Sequence, residues 1–232
     1  MVNVPVFKSF DERQQLAKAL AHKIANQLQS SIDTSGKASL LVSGGSTPLA
    51  LFAALSEEAI EWRKVAVSLV DERWVSPTHP DSNERLVRKY LLKNRAASAN
   101  FHGLKNMYET PEEGVAMAIE AIAHMQQPFD VVILGMGNDG HTASWFPCSK
   151  EIESALSSDK LLLAVNPTSA PNARISFSGN AIASAKQVYL HLHGDDKLET
   201  LNKALAGDDV YSMPIRYILQ NKALAYDVYW SK

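Results

Sequence analysis

The stretch LGMGNDGHT at 134–142 follows the apolar run FDVVI and places a histidine directly behind a glycine-rich loop. Its G-x-G-x-x-G spacing is shared with dinucleotide-binding turns, which also need a long following helix and an acidic residue about 20 positions further on. Neither is found here, because Pro147 limits any helix that starts at the loop and the next apolar run ends in Asn166 and Pro167. We therefore predict that the loop presents His141 as a general base, since an imidazole with an unperturbed pKa of about 6.5 is largely neutral at pH 7. A structural histidine is the alternative.

The segment SGGSTP follows another apolar run and contains a glycine pair, Gly44 and Gly45. Glycine allows a tight turn with accessible backbone N–H groups, and we expect Ser46 or Thr47 to cap the helix that follows. Such a helix N-terminus can bind an anion. An ordinary strand-to-helix turn explains the glycine pair equally well.

Charged side chains follow three more apolar runs. In LVDERWV, Asp71 and Arg73 arrive together at a strand end, where they either pair with each other or serve a ligand. In HLHGDDKLETL, Lys197 falls in the first turn of a helix, where the helix dipole disfavours a cation unless an anion is close. That anion is either a ligand phosphate or a neighbouring aspartate. Arg174 is a further candidate for planar recognition of a phosphate or carboxylate.

These residues must be positioned by an α/β fold. Apolar runs of buried-strand length occupy 38–42, 65–70, 129–134, 160–165 and 187–192, and helical patterns occupy 48–60, 82–95, 111–126 and 196–206. This alternation predicts a mostly parallel, doubly wound sheet flanked by helices, in one domain spanning 1–232.

Three other segments complete the predicted fold. We expect a first strand at Val4–Phe7, then a capping box of Ser9 and Glu12 before a long helix. The two prolines of segment 166–180 make Arg174–Phe177 an antiparallel or edge strand, and KALAYDVYW reads as the last strand.

Composition excludes several classes of function. A net charge of −2 gives no general basic field, so a nucleic acid or an anionic membrane is not expected as the main partner. The single cysteine excludes an internal disulfide, and the N-terminus lacks a signal-peptide pattern, so we expect a cytoplasmic protein. His191 and His193 share a strand face, but no third ligand has metal spacing, so no metal site is predicted.

Five segments together resemble the 6-phosphogluconolactonase family, in its order and spacing and over essentially the whole chain. They are SGGSTP (43–48), DERWV (71–75), GMGNDGHTASWFP (135–147), PNARIS (171–176) and GDDK (194–197). The resemblance implies a Rossmann-like fold related to glucosamine-6-phosphate deaminase. It also implies hydrolysis of 6-phospho-D-glucono-1,5-lactone to 6-phosphogluconate in the pentose phosphate pathway, with no metal or organic cofactor. We expect a monomer or a homodimer.

The resemblance also suggests roles for individual residues. His141 is the expected base, and Asp71 orients its imidazole, positions the water or grips sugar hydroxyls. Asn138 and Asp139 either hold the loop in shape or contact the sugar. The phosphate candidates are Gly44, Gly45, Ser46, Arg73, Arg174 and Lys197.

Two alternatives remain open at this point. The related deaminase has a catalytic glutamate where this chain has Phe146, so a deaminase or isomerase is the weaker enzyme hypothesis. A non-catalytic sugar-phosphate sensor is the other alternative, although we recognise no DNA-binding segment beside the motifs.

Overall fold

Strands and helices alternate along residues 4–232, the part of the chain that the computed structural model describes. In this part, the strands in chain order are β1 Val6–Phe10, β2 Ala38–Val42, β3 Val65–Leu69, β4 Asp71–Arg73, β5 Asn100–His102, β6 Val131–Leu134, β7 Leu162–Val165, β8 Arg174–Phe177, β9 Val188–His193 and β10 Tyr226–Ser231. The α-helices are α1 Arg13–Ser35, α2 Leu49–Leu55, α3 Asn83–Tyr90, α4 Pro111–Ile122, α5 Ile152–Ser157, α6 Gly179–Ala183, α7 Asp195–Leu205 and α8 Arg216–Leu219. All four predicted helices are present, and each one ends earlier in the sequence than we predicted.

Seven strands form the main sheet, in the order β1-β10-β9-β6-β2-β3-β5, and every neighbouring pair is parallel. This confirms the predicted fold class. The strand order turns around β2, since the chain continues outward to β3 and β5 on one side and later to β6, β9 and β10 on the other. Ligands of open α/β sheets bind beyond the carboxyl ends of the strands at such a switch point, here the ends of β2 and β6.

The central strands are apolar because helices cover both faces of the sheet. Every residue of β2 and β6 is buried. Helix α1 packs against β2, β10 and α2. Its predicted stripe is confirmed, since Leu16, Leu20, Ile24 and Leu28 have no exposed surface.

A second, antiparallel sheet joins β4, β8 and β7. Arg174–Phe177, which we predicted to be an antiparallel or edge strand, is antiparallel to both of its neighbours, but the expectation that 160–165 joins the parallel sheet is wrong. Its residues Leu162–Val165 pair with β8 instead. The small sheet places Arg73 of β4 directly opposite Arg174 of β8.

The expected start of the fold needs correction. The first strand is Val6–Phe10 rather than Val4–Phe7, and Ser9 lies inside it, paired with Trp230 of β10. The predicted capping box is therefore wrong: Glu12 is the N-cap of α1, and no side chain caps that helix. Within residues 4–232, no helix is long and apolar enough to cross a membrane.

Candidate active site

A cavity of about 270 Å³ opens at the carboxyl ends of β2 and β6, where the topology predicts a ligand site. Eight of the ten predicted site residues line it: Gly44, Gly45, Ser46, Asp71, Arg73, His141, Arg174 and Lys197. Asn138 and Asp139 do not line the cavity, but each contacts a side chain that does.

Asp139 holds His141 at two points. Its Oδ1 accepts the backbone N–H of His141 at 3.1 Å and lies 2.6 Å from Nδ1 of the ring. Burial alone raises the pKa of Asp139, but the hydrogen bond and charge of His141 hold it below its ordinary value. An ionised carboxylate only accepts, so Nδ1 carries the proton and Nε2 is left as the basic nitrogen.

Two neighbours fix the plane of the His141 ring. The ring stacks on Phe146, with centroids 4.2 Å apart and an interplanar angle of 29°. On the loop side, a Cβ added to Gly137 would lie only 2.2 Å from ring atoms Cε1 and Nδ1. Glycine is therefore required at this position because the imidazole occupies the space of a side chain. The glycine-rich loop therefore leaves the space in which the His141 imidazole lies.

Asp71 is buried and held by three different parts of the chain. Ser144 Oγ donates to Asp71 Oδ2 at 2.5 Å, and Nη1 of Arg174 lies 3.6 Å from the same oxygen. Asn83 Nδ2 donates to the backbone oxygen of Asp71 at 2.9 Å and lies 3.5 Å from Oδ1. The partner of the His141 ring is Asp139, so among the described contacts Asp71 does not orient the imidazole. Asp71 is instead a fixed carboxylate in the cavity wall.

Two arginines, Arg73 and Arg174, belong to the cavity lining together with Asp71. Arg73 and Arg174 pair directly across β4 and β8, and Arg174 packs over the Phe146 ring at 4.9 Å. Burial lowers the pKa of Arg174, the Asp71 carboxylate opposes this effect, and the Arg73 charge reinforces it. Like charges directly opposite each other destabilise a sheet. The arrangement is therefore favourable for an anionic ligand that the cavity can admit.

Lys197 adds a third cation to the cavity lining. It lies in the first turn of α7, as predicted, and its Nζ contacts Oδ1 of Asn138 and lies 4.0 Å from Asp196. Among the described residues that line the cavity, Asp71 is the only one with a carboxylate. Three cations against one carboxylate make this lining net positive, which favours an anionic ligand.

The glycine loop after β2 does not form the predicted cap. The N-cap of α2 is Pro48, and neither Ser46 nor Thr47 caps the helix with its side chain. The backbone oxygens of Ser46 and Thr47 instead accept hydrogen bonds from Nη2 of Arg13, the first residue of α1. Sequence reasoning missed Arg13, because no local pattern links the two segments.

His191 also lines the cavity, although only 2% of it is exposed. Neither ring nitrogen has a hydrogen-bond partner within the described part of the chain. Burial, with smaller contributions from the charges of Arg13 and His193, lowers the pKa of His191 to about 3. The ring is therefore neutral near pH 7, as part of the cavity wall.

The sequence model of the glucosamine-6-phosphate isomerase/6-phosphogluconolactonase family matches residues 11–230. The chain belongs to this family. A 6-phosphogluconolactonase of Rhizobium meliloti (strain 1021) is 42% identical over 96% of this chain and 97% of its own length. The crystal structure of a 6-phosphogluconolactonase from Shewanella baltica OS155 is 54% identical and superimposes with a TM-score of 0.97 over 100% of both chains.

A monomeric glucosamine-6-phosphate deaminase shares the fold alone, with 16% identity and a TM-score of 0.80 over 98% of this chain and 97% of the deaminase. In this member of the family, Phe146 is buried beneath both His141 and Arg174. This is the position at which the sequence departs from the deaminase motif. An apolar ring here supports the imidazole by packing and supplies no acid or base.

Sequence reasoning missed Asn83, which lines the cavity and contacts Asp71. It lies 12 positions from Asp71, at the first position of α3. The only local signal was Ser82, whose hydroxyl caps the helix by accepting the N–H of Arg85. A capping residue predicts where the helix begins, but it does not predict which side chain reaches a distant strand.

Proposed function

We propose that this member of the family hydrolyses 6-phospho-D-glucono-1,5-lactone to 6-phospho-D-gluconate, the second step of the oxidative pentose phosphate pathway. The observation that carries the proposal is the Asp139–His141 pair, whose imidazole lines a net positive cavity. The relatives named 6-phosphogluconolactonase, similar over nearly their whole length, support the same activity.

For lactone hydrolysis, the protein has to position the substrate and the water and to supply a base. A lactone is an activated ester, so a water molecule deprotonated close to its carbonyl carbon is a sufficient nucleophile. In our proposal, His141 Nε2 accepts the proton of that water as its oxygen bonds to the carbonyl carbon, while Asp139 stabilises the resulting imidazolium through Nδ1. The tetrahedral intermediate then collapses, the bond from this carbon to the ring oxygen breaks, and the imidazolium returns its proton to the departing ring oxygen. Hydrogen-bond donors of the cavity stabilise the developing oxyanion. No step needs a metal or an organic cofactor.

The remaining polar residues bind the substrate in this proposal. Lys197, with the backbone amides of Gly44, Gly45 and Ser46, is assigned to the phosphate, and Arg73 and Arg174 supply further positive charge. Asn138 positions Lys197, which it contacts. Asp71 is held by Ser144 and Arg174, and an acceptor positioned in this way suits either the attacking water or a sugar hydroxyl.

The two alternative functions have less support. The deaminase hypothesis lacks its acidic residue, because Phe146 fills that position, and the deaminase similarity extends only to the fold. The sensor hypothesis does not account for an imidazole whose tautomer is fixed by a carboxylate in the manner of a catalytic base.

We also propose that residues 1–232 work as one domain, because the two sheets share one hydrophobic core. The cavity lining contains the base and the cations that the mechanism uses, and we propose a monomer or a homodimer. The single cysteine and the sugar-phosphate substrate favour a cytoplasmic location.

The test follows the loss of lactone generated freshly in situ, with and without the purified protein. A blank is essential because the lactone also hydrolyses unaided. We expect loss well above the blank and no ammonia from glucosamine 6-phosphate. Loss no faster than the blank with folded protein would contradict the lactonase proposal, and ammonia release would favour the deaminase.

A further inference from the structure

Glu72 is a buried carboxylate for which the mechanism above has no use. It lies in β4 between Asp71 and Arg73 and has no exposed surface. Successive side chains of a strand point to opposite faces, so Glu72 faces away from the cavity that its two neighbours line. Burial raises the pKa of Glu72 to about 7, and the hydrogen bonds that its oxygens accept act against this effect. Burying a carboxylate is costly unless hydrogen bonds compensate, so its presence needs an explanation.

Four donors converge on the two oxygens of Glu72. Oε1 accepts the backbone N–H of Arg73 at 2.7 Å and that of Asn83 at 2.8 Å. Oε2 accepts the hydroxyl of Ser82 at 3.0 Å and the backbone N–H of Glu84 at 2.8 Å. Three of these donors belong to the N-terminus of α3, where N–H groups have no partner inside the helix and the dipole favours a negative charge.

This anchoring fixes the first residue of α3, Asn83, against the cavity. Asn83 Nδ2 donates to the backbone oxygen of Asp71 at 2.9 Å. On its other side the amide lies against the loop after β2, where a Cβ added to Gly44 would be 1.8 Å from Asn83 Oδ1. Asn83 therefore contacts both Asp71 of β4 and the loop at Gly44, which are two different parts of the cavity wall.

We propose that Glu72 is a positioning residue that acts through Asn83. Its carboxylate fixes the start of α3, and Asn83 then holds Asp71 and the Gly44 loop at the spacing that the substrate requires. Glu72 itself does not touch the substrate. This inference rests on the proposed lactonase activity, and it adds a residue to that mechanism that sequence reasoning did not identify.

A carboxylate is needed at this position because all four partners donate. Glutamine has the same shape, but its NH₂ group would face two of the donors, and at least one of them is a backbone N–H that cannot accept. Aspartate is one methylene shorter and cannot reach the same four groups. Glu72→Gln therefore keeps the volume of the side chain, removes its negative charge and replaces one acceptor oxygen with a donor.

The experiment is a double-mutant cycle in the full-length protein, with Glu72→Gln, Asn83→Ala and the double variant assayed for kcat and KM on fresh lactone. We expect each single variant to lower kcat/KM by roughly 10- to 100-fold, since small misplacements of a site have effects of this size. We expect the double variant to lose no more than Asn83→Ala alone, because both changes interrupt the same path. If Glu72 and Asn83 acted independently, the fold losses in kcat/KM of the two single variants would multiply in the double variant.

The control is Thr110→Ala, which removes the hydroxyl cap of α4 and leaves the cavity lining unchanged. It should lower the melting temperature with kcat close to wild type. Wild-type kcat/KM in Glu72→Gln, or multiplied losses in the double variant, would overturn the inference. If Glu72→Gln does not fold, wild-type kcat/KM in Asn83→Ala would overturn it alone. An inactive wild-type protein would instead contradict the proposed function.

Discussion

Asp139 Oδ1 lies 2.6 Å from Nδ1 of His141 and also accepts the backbone N–H of the same residue at 3.1 Å. Two residues apart in one loop, the carboxylate and the imidazole form a self-contained pair. The pair needs no contribution from Asp71, which the sequence had suggested as one possible orienting group.

Asp139→Asn should lower kcat while the protein keeps its fold. An amide can turn its NH₂ group toward Nδ1, which would place the ring proton on Nε2 and remove the basic nitrogen. The equivalent change in a serine protease triad reduces turnover by about 10⁴-fold, so we expect a loss of roughly 10²-fold or more. Steady-state kinetics with a check by circular dichroism measure it, and unchanged kcat would show that the pair has no role in the chemistry.

Asp71→Asn should reduce kcat/KM by about 10-fold or more, because the substitution removes the negative charge of a carboxylate that lines the cavity. The kinetic constants separate its two remaining roles. A fall in kcat at constant KM indicates that Asp71 positions the water, and a rise in KM indicates that it binds sugar hydroxyls. Wild-type values of both constants would exclude a role for Asp71 in substrate binding and in the reaction.

Lys197→Ala should raise KM for the phosphorylated lactone and have little effect on unphosphorylated glucono-1,5-lactone. The reason is that Lys197 lines the cavity and, in our proposal, binds the phosphate of the substrate. Lys203→Ala, an exposed lysine on the same helix, is the matched control for loss of one charge from α7. An equal loss on both lactones would contradict the phosphate assignment.

His191 should make the protein less stable as the pH falls. Its folded-state pKa is lowered to about 3 by burial, whereas an unfolded histidine binds a proton near pH 6.5. The unfolded state therefore binds more protons between these values, and the free energy of unfolding decreases as the pH drops from about 6.5 toward 3. One such group contributes a slope of at most about 1.4 kcal/mol per pH unit.

Denaturant unfolding of the wild type and His191→Gln between pH 4 and 7 tests this prediction. The variant should show a shallower dependence on pH, and His124→Gln, at an exposed position, serves as the control for loss of one histidine. Parallel curves for the wild type and His191→Gln would contradict the assignment.

The main sheet could be predicted because its strands and helices carry local patterns. The stripe of α1 and the apolar runs of β2 and β6 each follow from burial on both faces of a parallel sheet. Errors arose where the pairing of strands, rather than a local pattern, decided the outcome. Ser9 was expected to cap a helix but pairs with Trp230, more than 200 residues away, and β7 pairs with β8 in the small sheet.

The site could be predicted in its residues but not in its contacts. Strand ends and glycine loops indicated His141, Lys197 and Asp71, since parallel strands bring their carboxyl ends to one edge. The contacts of Asn83 with Asp71 and of Arg13 with the glycine loop depend on how α3 and α1 pack. A single sequence has no local signal for packing of this kind.

The central claim is that His141 is the base that activates water for lactone hydrolysis. The most direct measurement compares the turnover of fresh 6-phosphogluconolactone by the wild type, His141→Ala and His193→Ala, each corrected for the spontaneous rate. His193 is a suitable control because it contacts Ser231 and does not line the cavity. We predict a loss of roughly 10²- to 10⁴-fold for His141→Ala alone. Turnover by His141→Ala close to that of the wild type would contradict the mechanism.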